Sequence, residues 1–237
     1  MKDITGRLHA ISWDAVAGDL NGQGYALVPG VLTKKECMEL IRSYGSEGLY
    51  RKTISMERYR FGAGEYKYFR YPLPDLLQEI RQTAYPYLAP VANRWMEELR
   101  EEGRYPATLD ALLKTCQAHH QEQPTALILK YNAGGFNTLH QDLYGDIYFP
   151  LQVVLFLNEP EEDYRGGEFV LTEQVPRAQS KAMVLRPKRG DLLIFTTRSR
   201  PVKGSKGYYR VNIKHGVSLL HSGQRHTVGI IFHDALS

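Results

Sequence analysis

The triplet His140-Gln141-Asp142 contains two residue types that often bind transition metals. On a β-strand, residues i and i+2 face the same side, so the sequence predicts that the His140 and Asp142 side chains point together. An imidazole and a carboxylate form two thirds of a 2-His-1-carboxylate site, which leaves three open positions on Fe(II) for oxygen chemistry. Asp146 is a competing carboxylate, but it follows Gly145, where a turn is expected, so Asp142 is the predicted ligand.

The third metal ligand is predicted at His215, near the end of a late apolar segment. Arg225 follows ten residues later, and Thr227 lies two residues beyond it, on the same face of a strand. An arginine offers a permanently charged fork that binds a carboxylate through two hydrogen bonds. We therefore expect Arg225 and Thr227 to bind a carboxylate of a dicarboxylate cosubstrate beside the metal.

The other histidines toward the carboxyl end have structural explanations and are not predicted as ligands. His221 is expected in an exposed turn, and His226 should face away from Arg225 on the same strand. His233 closes the last strand and is expected to be structural or exposed. His119 and His120 close a helix, where histidine is favourable against the helix dipole.

The first half of the chain is predicted to be mainly helical. Tyr25 to Val28 indicates a short strand, and Thr33 with Glu36 forms a capping box that opens a helix to about Tyr44. Apolar residues at three- to four-residue spacing predict one helix over 74–102, or two helices broken near its prolines. A further helix is predicted over 106–118.

From Thr125 onward the pattern is that of short β-strands. Seven apolar or alternating runs, each bounded by turn-forming residues, cover 126–131, 151–157, 168–171, 182–185, 191–195, 208–217 and 225–232. Strands of this length favour a sandwich or barrel. We therefore predict an α+β fold in one structural unit: an N-terminal helical elaboration over 1–124, with a short strand and a basic-aromatic segment, and a catalytic core over 125–237.

Three segments carry a resemblance to a known superfamily: YNAGGFNTLHQD at 131–142, RGGEF at 165–169 and KRGDLLIF at 188–195. They resemble the core of prolyl-4-hydroxylase-type 2-oxoglutarate oxygenases. The resemblance implies a double-stranded β-helix (a jelly-roll, cupin-like core) that uses Fe(II), 2-oxoglutarate and O2. It also implies a contact between Tyr131 and 2-oxoglutarate, because a tyrosine nine residues before the metal-binding histidine often makes this contact in the superfamily.

A closer resemblance is carried by RPV at 200–202, GYYRV at 207–211, HGVS at 215–218 and GIIFHDA at 229–235. These segments resemble a bacterial oxygenase family that is predicted, by analogy with AlkB-type enzymes, to demethylate damaged nucleic acid. The AlkB-type enzymes carry a second arginine six residues after the cosubstrate arginine, and that position is Ile231 here. The spacing from His215 to Arg225 is instead that of hydroxylases of proline residues or small molecules.

Residues and resemblance together predict an Fe(II)- and 2-oxoglutarate-dependent dioxygenase that hydroxylates a C–H bond and releases succinate and CO2. No catalytic residue is predicted beyond the metal centre. The substrate stays open between a protein side chain or small metabolite and a damaged, alkylated nucleobase. The alternative function is that of a non-catalytic β-barrel that binds an anionic ligand.

Charge distribution bears on the substrate. The chain has a net charge of +4, and its segment from 177 to 233 contains twelve lysines and arginines against one acid, Asp191. The basic-aromatic segment from Tyr50 to Tyr71 contains six basic and seven aromatic residues against two glutamates. Such a segment can contact nucleic acid, or it can form ordinary strands whose tyrosines face a core and whose arginines face water.

The same sequence predicts a cytoplasmic protein without a membrane partner. Residues 1–13 contain no apolar run typical of a signal peptide, and no run approaches the roughly 20 residues of a membrane-spanning helix. The two cysteines, Cys37 and Cys116, are expected to be free thiols. The oligomeric state and the role of residues 1–124 stay open.

Overall fold

The computed structural model describes residues 3–237, so the first two positions of the predicted N-terminal region lie outside the described residues. Its helices are α1 (Ile4–His9), α2 (Trp13–Gln23), α3 (Lys34–Ser43), α4 (Met56–Tyr59), α5 (Asp75–Leu99) and α6 (Leu109–Ala118), with a 3₁₀ turn at Glu47–Leu49. Its strands are β1 (Tyr25–Val28), β2 (Tyr50–Ser55), β3 (Gly62–Ala63), β4 (Glu65–Phe69), β5 (Leu127–Asn132), β6 (Phe136–His140), β7 (Leu151–Phe156), β8 (Tyr164–Gly166), β9 (Phe169–Gln174), β10 (Ser180–Leu185), β11 (Leu192–Thr196), β12 (Ser199–Gly204), β13 (Gly207–Val217) and β14 (Leu220–Ile231).

The strands form two antiparallel sheets. The larger sheet has the order β1-β11-β7-β14-β5-β4-β2, with β8 also paired to β14. The smaller sheet has the order β10-β9-β13-β6-β3, with β12 also paired to β13. Apolar side chains of both sheets meet in one buried cluster, in which Phe156 and Phe195 of the larger sheet lie with Phe169 and Ile213 of the smaller one. Two facing antiparallel sheets around a shared core are the predicted jelly roll.

All the helices except α4 pack against one face of the larger sheet. The buried side of α5, with Ile80, Tyr85 and Leu88, shares an apolar cluster with Val153 and Ile230 of the sheet. Of the two predicted alternatives for 74–102, one continuous helix is observed. Its two prolines lie on the exposed face, so packing of the buried face maintains the helix where two backbone N–H donors are missing.

The first half of the chain also contributes strands to the larger sheet. The predicted strand β1 is confirmed and pairs with β11. The basic-aromatic segment, for which a strand was one of two interpretations, forms β2 and β4, and β4 pairs with β5 of the core. The division at residue 124 stays a proposal. Within residues 3–237, no helix combines the length and apolar character needed to cross a membrane.

Candidate metal centre

Neighbouring strands bring the three predicted metal ligands together. His140 is the last residue of β6, and it lies opposite His215 of β13 in the register of the smaller sheet. Asp142 lies two residues beyond the end of β6, so it is not on the strand, contrary to the prediction from alternation. The Gln141 side chain nevertheless points away from the ligands, because its amide donates to the carbonyls of Arg198 (2.7 Å) and Ile213 (2.8 Å).

The candidate ligand atoms of His140, Asp142 and His215 all lie within 4.8 Å of one another. Nε2 of His215 is 3.2 Å from Oδ2 of Asp142, and Nε2 of His140 is 3.6 Å from Oδ1. Nδ1 of His140 lies 2.7 Å from the carbonyl oxygen of Thr138. That carbonyl can only accept, so Nδ1 carries the proton and the Nε2 lone pair faces the other two ligands.

The charges of the cluster suit a divalent cation. Burial raises the pKa of Asp142, but attraction to His215 and then to His140 outweighs the effect of burial. The pKa of Asp142 therefore falls below its ordinary value, and its side chain is an ionised carboxylate. Burial, followed by repulsion from His215, lowers the pKa of His140. Neutral imidazole and ionised carboxylate are the forms that bind metal, and two imidazoles with one carboxylate are a donor set that Fe(II) accepts.

A narrow cavity of about 50 Å³ extends from the three ligands toward Arg225, and Tyr131 and Thr227 also line it. Arg225 is only 1 % exposed, and its Nε and Nη1 atoms have no hydrogen-bond partner among the described residues. Its guanidinium carbon lies 5.5–6.0 Å from the ring centres of Tyr131, Phe156 and Tyr164. Buried polar groups are normally paired, so these free donors fit a bound carboxylate.

Tyr131 is fully buried beside this guanidinium. Burial raises the pKa of Tyr131 to about 12. Its hydroxyl therefore keeps its proton at neutral pH, while it accepts a hydrogen bond from Nδ2 of Asn137 at 3.3 Å. Strand register also places these residues next to one another. Tyr131 of β5 pairs with Arg225 of β14, and Leu129, two residues before Tyr131, pairs with Thr227.

An outer pocket of about 220 Å³ adjoins two of the ligands, His140 and Asp142, and has mainly aromatic and aliphatic walls. Tyr66 and Tyr68 form one wall, and Phe61 and Tyr144 contribute to the rest. The Tyr68 hydroxyl lies 3.2 Å from that of Tyr144, which donates to Oδ1 of Asp142 at 3.1 Å. A chain of hydroxyl groups therefore leads from the pocket wall to the carboxylate ligand.

Gln121 holds the segment that follows Asp142. It is fully buried, and the two hydrogens of its amide nitrogen are shared among the carbonyls of Tyr144 (3.1 Å), Ile147 (2.8 Å) and Asp234 (2.6 Å). Its amide oxygen accepts the Ile147 N–H at 2.8 Å. The contact with Gly145 is also close, since a Cβ there would lie 2.4 Å from the Gln121 side chain.

Sequence reasoning missed Gln152, Asn137 and the tyrosines of the outer pocket. Gln152 lines the inner cavity, is 2 % exposed and has an unpartnered amide nitrogen. It is the only polar residue of the strand LQVVLF, and a single polar residue in an apolar strand is a signal that the sequence alone contains. Tyr66 and Tyr68 alternate on β4, so their shared face also follows from the sequence if that segment is a strand.

The residues that are not predicted as ligands lie outside the centre. Asp146 and His221 are exposed, although His221 belongs to β14 and not to a turn. His226 is buried on the face of β14 opposite Arg225, beside Asn158. His233 is fully buried and not at the surface, and its Nδ1 accepts the Phe149 N–H. His119 and His120 follow α6 as expected.

Solved structures with the same architecture are 2-oxoglutarate oxygenases. A Pseudomonas putida prolyl-4-hydroxylase matches with a TM-score of 0.56 and 16 % identity over 94 % of this chain and 98 % of its own. A Trichoplax adhaerens prolyl hydroxylase, solved with a peptide fragment of hypoxia inducible factor, matches with a TM-score of 0.55 and 16 % identity over 98 % and 92 %. At this identity the likeness establishes the jelly-roll fold.

The chain belongs to the oxygenase family described as "catalysing oxidative methylation of damaged DNA", whose model matches residues 64–235. The uncharacterized protein Rv2227 of Mycobacterium tuberculosis is 43 % identical over 192 residues, which are 81 % of this chain and 77 % of that protein. The predicted enzyme class is confirmed by this membership. The family implies dependence on Fe(II) and 2-oxoglutarate.

Proposed function

We propose that this enzyme oxidises an alkyl carbon on a damaged nucleobase, with Fe(II) held by His140, Asp142 and His215. The observation that carries the proposal is the arrangement of two cavities around these ligands. The inner one ends at the guanidinium of Arg225, whose Nε and Nη1 atoms are unpartnered, and the outer one has tyrosine walls. At about 220 Å³ the outer cavity is smaller than the roughly 300–1,000 Å³ of sites for drug-sized ligands, so it suits one ring system.

In this proposal, Arg225 and Thr227 bind the far carboxylate of 2-oxoglutarate, and the Tyr131 hydroxyl supports it. Bound Fe(II) with 2-oxoglutarate and O2 would supply an oxidant for a C–H bond, with release of succinate and CO2. The buried rings around Arg225 exclude water from the cosubstrate. The Thr138 carbonyl and the Tyr144 hydroxyl orient His140 and Asp142, as outer partners of metal ligands generally do.

The expected product follows from the chemistry of an N-methyl group. Hydroxylation of its carbon gives an N-hydroxymethyl base, and cleavage of the C–N bond then releases formaldehyde and returns a proton to the ring nitrogen. Oxidation at this site would therefore remove the methyl group. The family description and the aromatic outer pocket support a base as the substrate.

The test is turnover of a defined substrate by the purified chain with Fe(II), ascorbate and 2-oxoglutarate. An oligonucleotide with an N-methylated base should yield succinate and formaldehyde in equal amounts. His140→Ala and Asp142→Ala should abolish both products, while the matched control Asp146→Ala should retain them. Turnover of a proline-containing peptide, with none of the oligonucleotide, would replace the proposal by protein hydroxylation. Binding of 2-oxoglutarate without turnover of either would favour the anion-binding alternative.

We also place the enzyme in the cytoplasm. Cys37 and Cys116 are buried free thiols, which are typical of a reducing compartment. Fractionation of the native cells, with detection of the full chain, tests this assignment.

A further inference from the structure

Residues 55–64, here called the rim loop, form a closed structure at the edge of the outer pocket. The backbone N–H of Met56 donates to the Gly64 carbonyl at 2.8 Å. The Glu57 carboxylate accepts from the Ser55 hydroxyl at 2.7 Å and from the Gly64 N–H at 3.1 Å. Met56 is fully buried and anchors the loop. Contacts within the loop therefore maintain its conformation, and its one carboxylate, that of Glu57, is hydrogen-bonded inside the loop.

The rim loop is also fixed to the strand that carries His140. Its strand β3 pairs with β6, and both the N–H and the hydroxyl of Thr138 donate to the Phe61 carbonyl, at 2.9 and 2.8 Å. A Cβ on Gly62 would lie 2.2 Å from the Phe136 carbonyl oxygen, so the two backbones are in close contact. Thr138 is the residue whose own carbonyl orients His140. The position of the loop relative to the metal ligands is therefore fixed.

The loop presents two arginines and two aromatic rings to solvent. Tyr59 is 47 % exposed and Phe61 45 %, and their rings stack with centres 5.6 Å apart. Arg58 and Arg60 are exposed, and no carboxylate of residues 3–237 forms an ion pair with either. Phe61 also lines the outer pocket, so this surface is continuous with the candidate substrate site.

We infer that the rim loop binds single-stranded nucleic acid on either side of the base that enters the outer pocket. The inference rests on the proposed function. Each nucleotide offers one phosphate and one planar ring, which match the exposed cations Arg58 and Arg60 and the exposed rings of Tyr59 and Phe61. A single strand is the partner because a base must leave its stack to reach a buried metal, and an unpaired strand does so at the lowest cost.

The experiment measures binding of a fluorescent, undamaged oligothymidylate to the full chain loaded with Fe(II), without O2, across a range of salt concentrations. Arg58→Ala/Arg60→Ala should weaken binding at least tenfold and reduce the slope of log K against log salt by about 2, one for each phosphate that is no longer bound. Tyr59→Ala should weaken binding about tenfold with little change of slope. The control Lys34→Ala/Lys35→Ala removes two exposed charges from α3, outside both cavities, and should change neither quantity.

Several results would overturn the inference. One is that the unmodified chain does not bind oligothymidylate at low salt. Another is that the Lys34→Ala/Lys35→Ala control weakens binding as much as the rim-loop variants do. A third is that the chain binds the matching duplex more tightly than the single strand. Circular dichroism of each variant establishes that the fold is retained. The two proposals fail separately. Binding through the rim loop without oxidation of any methylated base removes the proposed function alone. Oxidation of a methylated oligonucleotide that the rim-loop variants leave unchanged removes the rim-loop inference alone.

Discussion

The Arg225 side chain is almost completely buried, and no carboxylate of the described residues forms an ion pair with it. A buried charge with unpartnered donors destabilises a folded protein, and a bound carboxylate would remove that cost. We expect Arg225→Met, which fills a similar volume without charge, to raise the free energy of unfolding of the ligand-free chain by about 1 kcal/mol. The variant should also lose 2-oxoglutarate binding. Thermal unfolding with and without 2-oxoglutarate measures both effects, and a less stable variant that 2-oxoglutarate still protects would contradict the assignment.

Tyr144 acts on the metal site through Asp142, so it is a positioning residue. Its hydroxyl donates to Oδ1 of Asp142 at 3.1 Å, and removal of such an outer partner typically lowers metal affinity 10- to 100-fold. We expect Tyr144→Phe to weaken Fe(II) binding by about tenfold, as measured by anaerobic metal titration. The control is Tyr148→Phe, which lines neither cavity. Equal affinities of the two variants would show that the hydroxyl contact has no role.

At the residue scale, local spacing was enough to select the residues that converge. The two-residue spacing selects His140 and Asp142 correctly, although Asp142 lies beyond the end of β6 and not on the strand. The spacing of His215, Arg225 and Thr227 is a property of two strands. Gln152 and Tyr144 were missed because each lies beside residues from distant parts of the chain. Gln152 lines the inner cavity with His215, and Tyr144 contacts Tyr68 as well as its near neighbour Asp142. Their importance depends on register between strands, which one sequence does not specify.

At the scale of elements, Gln121 connects the end of α6 to the pocket wall. Its side-chain amide donates to and accepts from the backbone of Ile147 and also donates toward the carbonyls of Tyr144 and Asp234. Gln121→Met keeps the volume and leaves these buried backbone groups without their partner, so we expect a loss of about 2–4 kcal/mol in unfolding free energy. The KM for the oxidised substrate should rise at least several-fold, while the KM for 2-oxoglutarate stays unchanged, because Arg225 belongs to β14.

The control for this prediction is Gln117→Met, an exposed position in the last turn of α6. Urea unfolding gives the free energies, and succinate formation at varied concentrations of each substrate gives the two KM values. An equal rise of both KM values would mean that Gln121 supports the whole site and not the outer pocket.

Element boundaries show where sequence patterns lose information. The capping box of Thr33 and Glu36 is observed at the start of α3, because it depends on residues three apart. For the segment that forms β2 and β4, the sequence did not decide between ordinary strands and a surface that contacts nucleic acid. Polar and basic residues outnumber apolar ones in β2, and the alternation of Tyr66 and Tyr68 in β4 is short, so pairing of β4 with β5 is what makes them part of the sheet.

At the scale of the whole molecule, two buried histidines make folding depend on pH. Burial is the main cause that lowers the pKa of His226 to about 4, followed by the nearby charges of Lys130 and Arg225, with Asp163 opposing. Burial likewise lowers the pKa of His233 to about 4, with Arg81 adding to the shift and Asp142 opposing it. Both groups are therefore neutral in the folded protein near neutral pH.

The sign of the effect follows from proton uptake. Below pH 6.5 the unfolded histidines bind protons, whereas the folded ones do so only near pH 4. The unfolded state thus binds more protons between these values, and stability is lost as the pH falls through this window. Each histidine should account for a loss of about 1.6 kcal/mol between pH 6.5 and 5. We expect His226→Gln to remove one such contribution, so its unfolding free energy should depend less steeply on pH than that of the unmodified chain.

His221→Gln, at an exposed position of the same strand, is the control. Urea unfolding at several pH values between 4.5 and 7 measures the slopes, and parallel slopes for His226→Gln and the control would show that His226 is protonated in the folded protein.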